Sequence, residues 1–251
     1  MNLKSIIEKF NGIIVIGDLH SDYDSLMKSI NYARNHNLFL VSLGDLVDRG
    51  PFPFETVEAI HNEVISGNAA FVIGNHDDKH YRHILGNKVK LSNDAQRTIY
   101  DVGEERFQEF SRMYVGLITH KNSGHYHYID DFILVHGATH SELWNYPITC
   151  ENTVKFRALY GEVTGKVDSE GMSERLYNWI NEIPTGKWVI VGHDRKPIHN
   201  VKISYPLMIQ NDIGGNVIFV DTSCGKGGVL SGVILKNVDS SYQLEKFIQF
   251  E

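Results

Sequence analysis

Five short apolar runs, each closed by a sharp turn and then by acid, amide or imidazole side chains, constrain this chain most. Residues 13–16, 38–43, 70–73, 132–135 and 188–191 are apolar throughout apart from Ser42. A strand with one wet face alternates polar and apolar residues. A run without alternation is buried on both faces, as in a parallel sheet covered by helices. The runs lead into Gly17-Asp18-Leu19-His20, Gly44-Asp45, Gly74-Asn75-His76-Asp77, His136-Gly137 and Gly192-His193-Asp194. Between them lie helical stripes. Leu26, Met27, Ile30 and Ala33 form one, and Phe54, Val57, Ile60 and Val64 form another, with Gly67 placed as its C-terminal cap. Strand–helix–strand spacing of ~30 residues predicts βαβ units with parallel pairing. Segment 93–120 reads as helical, an inserted cap, and 217–221, 228–235 and 244–250 read as antiparallel strands. The expectation is an α/β fold of layered sheets flanked by helices.

Composition narrows the partners. The net charge is −7, from 24 basic and 31 acidic residues. Long-range attraction to extended duplex nucleic acid is therefore not expected, although a local basic pocket is compatible with it. No apolar run approaches the ~20 residues of a membrane span, and the first ten residues lack the apolar stretch of a secretory signal. Two cysteines, Cys150 and Cys224, exclude a disulfide scaffold and a Cys-only zinc module. They fit a reducing compartment, so a cytoplasmic location is expected. Thirteen histidines direct attention to metal or acid–base chemistry.

Ligands of open α/β sheets bind beyond the carboxyl ends of the strands. Folding should therefore gather the five loops, and with them Asp18, His20, Asp45, Asn75, His76, His136 and His193, at one edge. Asp, His and Asn without Cys suit a hard or borderline divalent ion. Six or seven such groups are too many for one ion with an open position. They suit two ions roughly 3.5–4 Å apart. Taken singly, Asp18-Leu19-His20, Gly74-Asn75-His76-Asp77 and Gly192-His193 are each compatible with an ordinary strand-end turn. Gly44-Asp45-Leu46-Val47-Asp48-Arg49-Gly50 is not easily assigned to packing, with two acids and an Arg between glycines.

In this order and spacing the motifs resemble the calcineurin-like metallophosphoesterase superfamily. Gly44 to Gly50 resembles its phosphoprotein-phosphatase branch, which includes bacterial diadenosine tetraphosphatases. Residues 74–89 and 156–165, with Tyr177-Asn178-Trp179 and Asp221-Thr222-Ser223-Cys224, are similar to two groups. These are the phosphatase domain of bacterial polynucleotide kinase-phosphatase and the stand-alone diadenosine tetraphosphatases of Gram-positive bacteria. There is no Gly-x-x-x-x-Gly-Lys-Ser/Thr for a kinase, so a lone phosphoesterase module over 1–251 is expected. Four positions depart from the pattern: Ser21 and Ser223 stand for Gly, Asp194 for Thr, and Ala138 follows His136-Gly137.

The resemblance implies an α/β/β/α sandwich of two mixed sheets flanked by helices. It implies two divalent ions, with Mn²⁺ expected and Ni²⁺, Fe²⁺ or Zn²⁺ compatible. Asp18, His20 and Asp45 would hold one ion, and Asp45, Asn75, His136 and His193 the other. His76 would protonate the leaving oxygen, oriented by Asp48, and Arg49 and Arg157 would grip phosphate. The expected substrate is a small nucleotide such as diadenosine tetraphosphate. A 2′,3′-cyclic or 3′-phosphorylated polynucleotide end and a phosphoserine or phosphothreonine protein remain alternatives. No membrane and no obligate protein partner is implied.

Other conspicuous residues have plainer readings. His120, His125 and His127 read as a solvated loop, His61 and His83 as exposed helix positions, and His140 as a residue off the site, with a place on its rim as the alternative. Lys79, Arg82, Lys88 and Lys90 read as a solvated face or, alternatively, a phosphate groove. Trp144 and Tyr146 read as packing residues rather than base-stacking ones.

Overall fold

A computed structural model describes residues 3–144, 148–167, 173–198 and 200–251; Tyr146 lies outside them. In chain order the strands are β1 (Gly12–Ile16), β2 (Leu38–Ser42), β3 (Ala69–Val72), β4 (Ser123–Gly124), β5 (Tyr126–Ile129), β6 (Phe132–Val135) and β7 (Glu162–Val167). They continue with β8 (Ser173–Leu176), β9 (Trp188–Val191), β10 (Leu207–Gln210), β11 (Asn216–Phe219), β12 (Leu230–Val238) and β13 (Ser241–Phe250). The helices are α1 (Lys4–Ile7), α2 (Tyr23–His36), α3 (Pro53–Ile65), α4 (Asn75–Ile84), α5 (Asn93–Val102), α6 (Glu104–Ile118) and α7 (Glu151–Tyr160).

Two mixed sheets form, in the orders β13-β12-β1-β2-β3-β4 and β10-β11-β9-β6-β5. In the first, β1 to β4 are parallel and β12 and β13 return antiparallel. In the second, β6, β9 and β11 are parallel and the edges β5 and β10 are antiparallel.

The unbroken apolar runs follow from three apolar layers. Ile13, Val15, Phe39, Val41, Ala70 and Val72 face Phe132, Leu134, Ile190 and Ile218 between the sheets. Ile14, Ile16, Leu40 and Phe71 point the other way, onto helices α2, α3 and α6. Ile133, Val135, Val189 and Val191 pack under Val154 and Ala158 of α7 and under Trp179. Alternate residues of one strand thus enter different cores, and Ser42 is the one polar position in these runs.

Four expectations change. Residues 217–219 belong to β11, which is antiparallel only to the edge strand β10 and runs parallel to β9. All four positions of β11 are buried, as an interior strand requires, whereas β10 has the alternating pattern of an edge. Segment 93–120 is helical, but it lies in the helical layer of the first sheet. α6 packs on α3 and α4 and buries Phe110, Tyr114 and Leu117. His127 is fully buried on β5, with Nε2 3.0 Å from the Phe71 carbonyl of β3, rather than solvated. His61 and His83 are half-buried. Among the described residues, no helix is long and apolar enough to cross a membrane.

Candidate active site

The carboxyl ends of β1, β2, β3, β6 and β9 meet at one end of the stacked sheets, and the backbone there is strained. His20 (φ 46°), Asp45 (51°), Asp48 (74°), Arg49 (74°) and His193 (64°) all adopt left-handed conformations. Each such residue costs on the order of 1–3 kcal/mol and persists only where its surroundings fix it. At Asp45 the fixing group is Asp77. Its carboxylate accepts the N–H groups of Asp45 (2.6 Å), Gly74 (2.9 Å) and Leu46 (3.1 Å), and the Tyr114 hydroxyl (2.8 Å). A Cβ on Gly44 would lie 2.5 Å from the Gly74 nitrogen, so the two loops can pass only as glycines.

Two ligand sets share Asp45. In the first, His20 Nε2 lies 3.6 Å from Asp18 Oδ2 and 3.9 Å from Asp45 Oδ2. In the second, His136 Nε2 lies 3.1 Å from Asn75 Oδ1, 3.5 Å from Asp45 Oδ1 and 3.1 Å from His193 Nδ1. His20 and His136 set Nδ1 against the carbonyls of Val47 (3.0 Å) and Leu43 (2.7 Å). Those bonds fix the tautomer that leaves Nε2 as the lone-pair atom. Asp18 Oδ2 and His20 Nε2 are buried without a hydrogen-bond partner, an arrangement that is costly unless a cation lies on them. The donor set and the orphaned atoms therefore fit a metal site.

Burial would push the Asp45 and Asp18 carboxyls up. The histidines outweigh it, His136 and His76 at Asp45 and His20 and His136 at Asp18, and hold both below the ordinary range. Burial pulls His136 down, but Asp45 and Asp18 raise it to about 9. A proton and a cation thus compete for its Nε2 lone pair.

His76 follows Asn75 on the first turn of α4. Its Nδ1 lies 2.5 Å from Asp48 Oδ2, and its Nε2 is 3.9 Å from Asp45 Oδ2. The other Asp48 oxygen binds His80 Nε2 (2.7 Å) and the Thr98 hydroxyl (2.7 Å). Burial lowers His76, yet the Asp45 and Asp48 carboxylates hold it above the ordinary histidine value. Over these groups opens a cavity of about 480 Å³, lined among others by Arg49, Arg175, Arg195, Lys196 and Lys226.

The calcineurin-like phosphoesterase family matches residues 12–219 of the chain. This chain belongs to that family. It is accordingly a metal-dependent hydrolase of phosphoester bonds. The asymmetrical bis(5′-nucleosyl)-tetraphosphatase PrpE of Halalkalibacterium halodurans is 26% identical over 245 residues, covering 90% of each chain. That of Bacillus velezensis is 27% identical over 233 residues, covering 87% of this chain and 86% of the relative. A protein serine/threonine phosphatase from Saccharomyces cerevisiae shares the fold at TM-score 0.57 and 15% identity, over 100% of this chain and 82% of its own. A metallophosphoesterase from Sphaerobacter thermophilus does so at TM-score 0.53 and 20% identity, over 95% and 88%.

Within this phosphoesterase, Asp18, His20, Asp45, Asp48, Asn75, His76, His136 and His193 converge, and Arg49 lines the cavity. Arg157 does not join them among the described residues. Its guanidinium is paired with Glu162 (2.7 Å) and Glu182 (3.6 Å), and its carbonyl accepts the Ala138 N–H (3.0 Å), so it braces the loop after His136. The run from Lys79 to Lys90 stays outside the cavity, and Arg82 is paired with Asp78 at 3.2 Å. His140 lies instead with Glu142 and Cys150, where Glu142 already accepts the Thr149 and Cys150 N–H groups. Trp144 packs at the edge of the core under α7.

Sequence reasoning missed His80, Thr98, Tyr114, Arg175 and Lys226. His80 carried a signal, since it is four residues after His76 on one helical face. Thr98 and Tyr114 reach Asp48 and Asp77 from distant helices and carried none. Lys226 follows the Asp221 motif, with Nζ 3.6 Å from Asp221 Oδ2.

Proposed function

We propose that this phosphoesterase hydrolyses nucleotide phosphoesters and phosphoanhydrides, with dinucleoside polyphosphates of the diadenosine tetraphosphate kind preferred. The observation that carries the reading is a pair of ligand sets sharing Asp45 beneath a cavity with five cationic residues on its walls. Cations grouped around one cavity suit a short run of phosphates, whereas a long duplex calls for an extended basic footprint. The names of the curated relatives point the same way.

In this reading Asp18, His20 and Asp45 hold one divalent ion, and Asp45, Asn75, His136 and His193 hold a second, with Mn²⁺ expected. When bound, such ions make a hydroxide nucleophile available near neutral pH and neutralise phosphoryl charge. The remaining tasks belong to the chain. His76 gives its Nε2 proton to the leaving oxygen. Asp48 holds the imidazole through Nδ1 and stabilises its charged form, and His80 and Thr98 keep Asp48 in place. Arg49 offers its guanidinium fork to phosphate oxygens from the cavity wall.

The test compares kcat/KM for diadenosine tetraphosphate, a 3′-phosphorylated oligonucleotide and a phosphoserine peptide, all with Mn²⁺. The dinucleotide should lead. If the peptide is favoured by about tenfold, some 1.4 kcal/mol of transition-state binding, the nucleotide reading is wrong.

A further inference from the structure

His193 is held unlike the other two histidines of the ligand sets. Its Nδ1 faces the cluster, 3.1 Å from His136 Nε2, and its Nε2 lies 3.0 Å from Arg175 Nη2. A guanidinium only donates. Arg175 can bond to Nε2 only while the ring proton sits on Nδ1, pointing at His136. An ion taken through Nδ1 requires the opposite tautomer, with the proton on Nε2 facing the Arg175 donor. The two arrangements exclude each other. Passing between them releases one proton from Nδ1 to water and takes one up on Nε2.

Arg175 has a second tether. Its Nη1 lies 2.7 Å from Asp194 Oδ1. Asp194 also accepts the Tyr177 hydroxyl (2.6 Å) and the Lys196 N–H (3.0 Å), and it is buried. This is the position where the family resemblance leads one to expect Thr. Arg175 stands on β8, which pairs with β7, and Ser173 to Arg175 line one side of the cavity, with Tyr177 just beyond them. If the bond to His193 is broken, the Asp194 pair still holds the guanidinium over the cavity with one edge unspent.

We infer that Arg175 is a phosphate-gripping residue whose bond to His193 is exchanged against the ion. It opposes loading of the second ligand set. Once His193 coordinates through Nδ1, Arg175 turns its freed N–H groups to a substrate phosphate oxygen while Asp194 anchors it. The role of second phosphate-binding arginine, expected of Arg157, falls to Arg175. The inference rests on the phosphoesterase reading of this cavity and is independent of which nucleotide is cleaved.

Two calorimetric titrations test it without turnover: Mn²⁺ into the chain, and inorganic phosphate into the Mn²⁺-saturated chain. Arg175→Met keeps the aliphatic stem and removes every donor. It should weaken phosphate binding by about tenfold or more, the worth of a charge-assisted hydrogen bond. It should also tighten the weaker of the two Mn²⁺ sites, by about threefold or more. Arg175→Lys, which keeps the charge but not the fork, should fall between. The opposite signs separate this role from a structural one, which would weaken both. Phosphate affinity unchanged, or Mn²⁺ affinity unchanged or reduced, overturns the inference. Neither titration uses a nucleotide, so the substrate comparison fails or succeeds separately.

Discussion

Asp45 presents one carboxylate oxygen to each ligand set, Oδ2 toward His20 and Oδ1 toward His136. Asp45→Ala should therefore lose roughly three or more orders of magnitude in turnover, because nucleophile generation and charge neutralisation fail together. Near-wild-type rates in that variant, measured with Mn²⁺ and again after chelation, would refute a shared carboxylate. His76 has a different signature. His76→Ala should cost about 10²–10⁴-fold on an alkyl phosphate and much less on nitrophenyl phosphate, whose leaving oxygen needs little protonation. Equal losses on both would remove His76 from the leaving-group side. These residues were legible because they directly follow strands, where the fold leaves only one place for them. The second phosphate-gripping arginine proposed for this cavity was not. Arg157 and Arg175 both sit in the stretch after β6, and only side-chain pairing separates them. Arg157 is held by Glu162 and Glu182, whereas Arg175 reaches His193.

The helix pair α5–α6 acts on the site through two hydroxyls. Thr98 donates to Asp48 and Tyr114 to Asp77. Tyr114→Phe keeps the ring packed against Phe110 and removes only the bond to Asp77, which retains three backbone donors. It should lower unfolding free energy by about 1 kcal/mol in urea. It should also lower turnover, because Asp45 loses part of its support. Unchanged turnover at reduced stability would confine α6 to packing. Arg157→Ala should also lower stability, by breaking its ion pairs, but KM should stay near wild type. A tenfold rise in KM would return Arg157 to the phosphate. The helicity of this pair was readable from its pattern; its place was not, because amphipathic periodicity states which face is buried and not against what. For β11 the pattern announced a strand, but its parallel pairing with β9, across the β10 that intervenes in the chain, has no local signature.

Between the two sheets lies a titratable contact, His127 of β5 against the Phe71 carbonyl of β3. Burial lowers its pKa to about 4, against 6.5 for an exposed histidine. The unfolded chain then binds a proton that the folded chain refuses between those values. Stability is therefore intact above pH 6.5 and falls as pH drops toward 4, by about 3 kcal/mol for this residue. Urea unfolding across that window should show the slope, and His127→Gln should flatten it; an unchanged slope would mean that other groups carry it. This histidine was misplaced from the sequence because Gly124 and polar neighbours suggested a loop, whereas the stacking of the sheets covers it. The same stacking brings five strand ends to one edge and makes two ligand sets out of residues that span 18 to 193. The most direct test of that claim is anomalous diffraction at the manganese edge from crystals equilibrated with Mn²⁺. Two peaks roughly 3.5–4 Å apart are predicted, one among Asp18, His20 and Asp45 and one among Asp45, Asn75, His136 and His193. A single peak, or strong peaks only elsewhere, as at His140, Glu142 and Cys150, would contradict it.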